Sequence, residues 1–458
     1  MFKKYLSAFL ISVTTTLSGC ANLPVPNLYN DPYEGLSQSE KDELQLREWN
    51  KIHVQNEKLE SYVYNVLAKL YGEETLKSDN IRIALVADEH LGAAVGPDGL
   101  VIWNIGNFLQ LDSEDEVAAI LAHEMTHLIA GHHETTDSEF AVDKLMAVGE
   151  TAAALSGAGS AAELWAAATS VRWASDSVLF PSFTREEETE ADVEAARVLV
   201  EAGYNADAVR VVLGKFRSFF GDQPQFMAQK MVHVTEQTPN GATQYRVDFD
   251  AVLANVKGMI QERWGQEYES FTLRETAVRE LLRAEYSNRK RGGFETERLR
   301  AVVTARDVGN WLNAHETGFQ AVKVDLASDQ GLAKFKELTQ TLMSDPLTSE
   351  VFDYDVLLNA ALRNDLPEPA ARIGVHLINS DSATLSHYLT VGNIKRQSRE
   401  YDQAIAAFSV ADQTFSKEHD QTLLPLILAT KDDAGMSQGN TAIRCLDPTV
   451  MMACLKRK

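Results

Sequence analysis

The sequence predicts a mainly α protein of the α+β class, with a small edge sheet in its first domain and an α-helical repeat domain after it. Three observations carry this. Helical patterns, among them apolar residues at three- and four-residue steps before residue 71, recur along the chain, although residues 221–290 mix helical and irregular signals. Extended, β-branched runs are confined to residues 81–103. The C-terminal third carries a weak internal repeat. At 458 residues, 45% of them hydrophobic, two or three compact units with substantial cores are expected. The expected division is a leader over 1–19, a tether over 20–36, a first domain over 37–290, a helical domain over 291–440 and a tail over 441–458.

Lys3 and Lys4 give a basic start, and residues 5–13 form an apolar stretch too short to span a bilayer. Leu17-Ser18-Gly19-Cys20 follows with the form of a lipobox, resembling the cleavage site of bacterial lipoproteins, whose cysteine is acylated. Cys20 is therefore the expected lipidation site, and Ala21 after it, by resemblance to enterobacterial lipoproteins, favours the outer membrane. Pro24, Pro26 and Pro32 suit a flexible tether from the lipid.

Residues 37–71 read as helical, with Leu59, Tyr62, Val63, Val66, Leu67 and Leu70 on one face. A strand is expected over 81–86. Two further short strands, Ala93-Ala94-Val95 and Leu100-Val101-Ile102-Trp103, flank a Pro97-Asp98-Gly99 turn and predict a hairpin. Ser113, followed three residues later by Glu116, predicts a capped helix over 114–131. The Ala/Gly-rich residues 145–174 are interrupted by Glu150, Glu163 and Arg172, so close-packed helices are expected there, not a membrane span. Another helix is expected over 185–202, ending at Gly203.

In the C-terminal third, Tyr388, Val391, Gly392, Ala404, Phe408 and Ala411 fall at the spacings of a tetratricopeptide helical hairpin. Stepping back by the period of about 34 residues finds Tyr354, Leu357 and Ala370, with Gly374 where an aromatic is expected. Such arrays need about three units, so a divergent helical pair before residue 346 is expected. Cys445 and Cys454, in an exported chain, are expected to form a disulfide.

His123-Glu124-Met125-Thr126-His127 carries the chemistry. On a helix, residues four apart share a face, so two imidazoles can point at one zinc ion while Glu124 projects elsewhere, towards a water. Two candidates compete for the third ligand. His133 would need a glycine three residues after His127, where Ala130 stands; Glu188, with Asp192 one turn on, is preferred. Asp192 would then orient a ligand histidine.

His-Glu-x-x-His with a further His132, followed by Glu188-Thr189-Glu190-Ala191-Asp192, resembles the gluzincin family of CAAX prenyl endopeptidases, HtpX and BepA-type proteases. The likeness covers about residues 40–250. It implies a zincin-type metalloprotease domain, with one zinc ion on His123, His127 and Glu188, Glu124 as catalytic base and Asp192 behind a ligand. Family members often carry His-Pro ahead of an arginine; here Thr238-Pro239 and Arg246 are the nearest equivalent, making Arg246 a candidate oxyanion contact. Ala93, Ala94 and Val95 are expected to pair with an extended substrate through their backbone.

The expected activity is zinc-dependent endopeptidase action on protein or peptide substrates, by a chain lipid-anchored in the bacterial envelope and facing the periplasm. Lipid anchor and repeats together resemble the BepA-type branch, tied to outer-membrane protein assembly and quality control. Envelope proteins are expected partners through the helical repeats. Acidic residues outnumber basic ones by 66 to 43, a net charge of -23 that falls to about -25 if Lys3 and Lys4 are cleaved away. Such a field repels phosphate backbones, so nucleic acid is not an expected partner. The competing class is a lipid-anchored chaperone or adaptor with a latent metal site.

Overall fold

The computed structural model describes residues 32–132, 183, 185–230, 271–288 and 292–415, with scattered positions between 423 and 435. Cys20, His133, residues 145–174, Arg246, Cys445 and Cys454 lie outside the described residues. No helix among the described residues is long and apolar enough to cross a membrane. The fold is mainly α with one small sheet.

The sheet has three strands, β1 (Arg82–Val86), β2 (Ala93–Val95) and β3 (Leu100–Asn104), in the order β1-β3-β2. β1 runs parallel to β3, with Arg82 opposite Leu100. β2 pairs antiparallel with β3, with Ala93 opposite Trp103, and forms one edge. Gly99, at φ +86°, closes the β2–β3 turn where an L side chain would be strained. Its amide donates to Gly96 O, and Gly96 N to Leu100 O, giving the hairpin read from the sequence.

The helical reading of 37–71 resolves into two helices, α1 (Gln38–Glu48) and α2 (Glu57–Tyr71). Between them the chain is extended and lies along β1. Val54 N donates to Leu85 O and Ala87 N to Ile52 O, both at 2.9 Å, which covers that sheet edge. Apolar periodicity runs through this stretch because its side chains also face the core; Ile52 and Val54 are buried. Asn56 ends the extended segment by accepting from Leu59 N as the cap of α2.

After two short helices, α3 (Glu73–Ser78) and α4 (Gly106–Gln110), comes α5 (Glu114–Ile129), which is buried along most of its length. Ser113 caps it, accepting from Glu116 N at 3.3 Å, while the Glu116 carboxylate reaches back to Asp112 N at 3.1 Å. Its three first-turn acids are buried yet matched. Glu114 meets Tyr204 Oη at 2.9 Å, Asp115 accepts from Asn205 N at 2.6 Å, and Glu116 pairs with Lys215 at 2.8 Å. The partners lie on or near the next two described helices, α6 (Arg185–Glu201) and α7 (Asp207–Lys230), so buried carboxylates tie the start of α5 to their junction. α5 ends two residues short of the expected 131, at the positive-φ Gly131.

A helix described over 271–284 (α8) and then α9 (Glu297–Val303) lead into three successive helix pairs. These are α10 (Arg306–Val322) with α11 (Asp329–Ser344), α12 (Glu350–Arg363) with α13 (Pro367–Ile378), and α14 (Leu385–Gln397) with α15 (Tyr401–Thr414). The pair expected before residue 346 is α10–α11. Asp365 and Arg399, 34 residues apart, both take positive φ in the α12–α13 and α14–α15 turns, so the period appears in the backbone as well. One apolar cluster runs continuously from Ile52 to Val356, taking in α2, α5, α6 and α10. α1 is buried on two sides. Leu46 packs with Ala84 and Ile102 of the sheet, while Leu44 joins Leu385, Phe408 and Phe415 of the last helix pair.

Gly374 lacks the aromatic expected of the repeat because there is no room. A Cβ there would lie 2.5 Å from Val391 Cγ2. At Gly392 a Cβ would meet the Phe408 ring at 2.3 Å. Gly392→Ala is therefore expected to destabilise the protein by about 1–3 kcal/mol, the usual penalty of overpacking, measured as a lowered thermal midpoint. An unchanged midpoint would show that the α14–α15 contact is looser than described.

Candidate metal centre

α5 turns His123 and His127 to one side, one turn apart. The facing helix is α6, whose Ala191, Ala195 and Ala196 are fully buried; their small side chains let the two backbones approach. That approach brings Glu188, near the start of α6, over the imidazoles. His127 Nε2 lies 3.2 Å from His123 Nε2, Glu188 Oε2 lies 3.6 Å from His123 Nε2, and Glu188 Oε1 lies 3.8 Å from His127 Nε2. Donors bonded at 2.0–2.1 Å to a tetrahedral ion stand about 3.3–3.4 Å apart. Two neutral imidazoles and one carboxylate at these separations fit a divalent metal such as zinc. Among the described residues this is the one group of three or more His, Cys, Asp or Glu side chains placed to hold a metal ion.

Each of the two histidines is held from behind. His123 Nδ1 lies 2.9 Å from Asp192 Oδ1. Burial works against a charge on His123, but the hydrogen bond and charge of Asp192, with Glu188 and Glu124, outweigh it and raise its pKa. The ring of His127 stacks on Phe183 at 3.7 Å and 9°. Its Nδ1 lies 2.9 Å from Nδ1 of His132.

Arg274 of α8 joins the two acidic members. Its Nη1 pairs with Glu188 Oε2 at 2.8 Å, and its Nε and Nη2 reach Asp192 at 2.5 and 3.0 Å. Burial would raise the Asp192 carboxyl, but Arg274 and then His123 hold it down at about 2. Glu124 is also buried, 3% exposed. Burial pushes it up to about 8; His123 and Arg274 oppose the shift, and Glu188 and Asp192 add to it. A divalent ion held in the adjacent cluster would act in the lowering sense.

The sequence reading had no signal for Arg274. It sits more than eighty positions from either partner, on a helix carrying other arginines at 279 and 283. Arg246, the arginine chosen from the sequence, lies outside the described residues. Ala93, Ala94 and Val95 form the edge strand β2, and each residue, backbone included, is only 4–6% exposed.

Arg274 is the counter-charge for the buried Asp192 and the half-buried Glu188, and removing one partner of a buried ion pair costs about 3–5 kcal/mol. Arg274→Ala is expected to lower the thermal midpoint of metal-depleted protein by several degrees, on the order of that cost. Added zinc should recover part of the loss, because a dication replaces the missing positive charge. An equal loss with and without zinc would contradict this role.

With this geometry in view, residues 55–263 match the model of peptidase family M48. A Vibrio cholerae protein named "Putative beta-barrel assembly-enhancing protease" is 27% identical over 151 residues. That alignment spans 33% of this chain and 31% of the relative, so less than a third of the relative's length is matched. His123, Glu124, His127, Glu188 and Asp192 fall within the residues matched to the family, while Arg274 lies past them. The chain thus carries a metallopeptidase domain of the M48 family, the gluzincin type to which its histidine and glutamate motifs pointed.

Proposed function

We propose that this chain is a zinc-dependent endopeptidase anchored by lipid on the periplasmic side of the bacterial envelope, where it degrades or handles misfolded or misassembled envelope proteins. The observation that carries the activity is the convergence of His123, His127 and Glu188 within 4.8 Å of one another, on two helices, beside the buried Glu124. A zinc ion held by His123, His127 and Glu188 would supply a Lewis acid and lower the pKa of a water to about 7. Glu124 accepts the proton of the attacking water on its carboxylate and delivers it to the leaving amine. His123 and His127 remain neutral, each keeping a hydrogen on Nδ1 for the acceptor behind it. Asp192 and Arg274 hold His123 and Glu188 in place. Arg246 is a candidate contact on the oxyanion side, and the β2 backbone at Ala93–Val95 is a candidate strand for pairing with an extended substrate.

The envelope setting is supported by the lipobox-like Leu17–Cys20, with Cys20 as the lipidation site, and by the name of the Vibrio cholerae relative. Cys445 and Cys454 would form a disulfide in that compartment. The three C-terminal helix pairs, read as tetratricopeptide-like, would hold partner or substrate proteins. Those pairs also favour the second reading, a lipid-anchored chaperone or adaptor with a latent metal site.

Glu124→Gln separates the two readings. It should keep the fold and bound zinc while lowering cleavage of casein or a misfolded envelope protein by about 10²–10⁴-fold. Equal turnover by variant and parent would end the proposed mechanism. Full rescue of a deletion phenotype by the inactive variant would favour the adaptor.

A further inference from the structure

His127 can give only one ring nitrogen to the cluster. Its Nε2 faces His123 and Glu188, so its Nδ1 must carry the hydrogen and donate it. That nitrogen lies 2.9 Å from Nδ1 of His132, a buried residue only 5% exposed. Two imidazole nitrogens at this distance share a single proton; with His127 as donor, His132 must present an unprotonated Nδ1. We propose that His132 is a positioning residue for the metal site, a neutral imidazole acceptor that fixes the tautomer and ring orientation of His127. This rests on reading the cluster as a zinc site.

The surroundings fit that assignment. With Nδ1 accepting, His132 keeps its hydrogen on Nε2, which faces the Glu190 carboxylate at 3.6 Å. Phe183 stacks flat on His127 and lies 5.8 Å, centroid to centroid, from His132, so an apolar ring limits how far either imidazole can turn. The two ligand histidines are therefore held by different chemistry: His123 by the Asp192 carboxylate, His127 by an uncharged ring. The charge balance accounts for the difference. Glu124, Glu188 and Asp192 already place three carboxyl groups at the site, and Arg274 is the cation paired with two of them. A fourth carboxylate behind His127 would add negative charge in a buried place. An imidazole accepts the same hydrogen bond without that cost.

The test is zinc affinity, by competition with a chelator, on the full chain and on His132→Leu and His132→Asn. Leucine fills the space but accepts nothing, whereas the asparagine Oδ1 can take the place of Nδ1. We expect the leucine variant to bind zinc about 10- to 100-fold more weakly and the asparagine variant to come within about threefold of the parent. Leucine binding as tightly as the parent, or asparagine as weakly as leucine, would overturn the proposal. Should the leucine variant fail to fold, the zinc-loaded parent with labelled histidines decides. A ¹⁵N–¹⁵N coupling between His127 and His132 across the shared hydrogen is expected, and its absence refutes the assignment. A parent chain that binds no zinc at all would instead sink the zinc reading itself.

Discussion

The close packing of α6 on α5 is the constraint from which the rest follows. Alanines at 191, 195 and 196, all fully buried, let one helix lie near enough to the other for a single glutamate to reach two imidazoles. The result is that Glu188 stands 3.6 and 3.8 Å from two imidazole nitrogens that are themselves 3.2 Å apart. The buried acids at the start of α5 serve the same end. Tied to Tyr204, Asn205 and Lys215, they hold that helix against the junction of α6 and α7.

Electrostatics decides how such a site can exist inside a protein. Glu124, Glu188 and Asp192 would repel one another if left alone, and burial makes Glu124 and Asp192 harder to ionise. Arg274 keeps Asp192 ionised at about pH 2 and above and draws on Glu188 as well. Glu124 has no such direct partner among its main influences and is pushed up to about 8 by burial. The site is thus built short of positive charge by an amount that a divalent ion makes good. On the function proposed above, this is the sense in which the metal and Glu124 would depend on each other.

Local chemistry was legible in the sequence and long-range chemistry was not. The four-residue spacing of His123 and His127 sets their common face by helix geometry alone, and Ser113 with Glu116 marks where that helix begins. Glu188 could be chosen because it comes with Asp192 one turn later. Arg274 could not be, since its partners are reached only through the fold. His132 stood in the quoted motif, but its contact with His127 needs the turn after α5, not the helix. The stretch between α1 and α2 was read as helical with its neighbours, although Ile52 and Val54 are buried at the two-residue spacing of a strand and hydrogen bonds with Leu85 and Ala87 make it extended. In the C-terminal third the period of the repeat was readable from side chains. The departure at Gly374 was understood only when Val391 was seen to fill the space.

The central claim is that side chains from two helices share one ion. Diffraction from zinc-loaded crystals at the zinc absorption edge addresses it directly. The account predicts a single anomalous peak about 2.0–2.2 Å from Nε2 of His123, Nε2 of His127 and one carboxylate oxygen of Glu188. A peak bound by the histidines with Glu188 turned away, or no peak between the two helices, would contradict it.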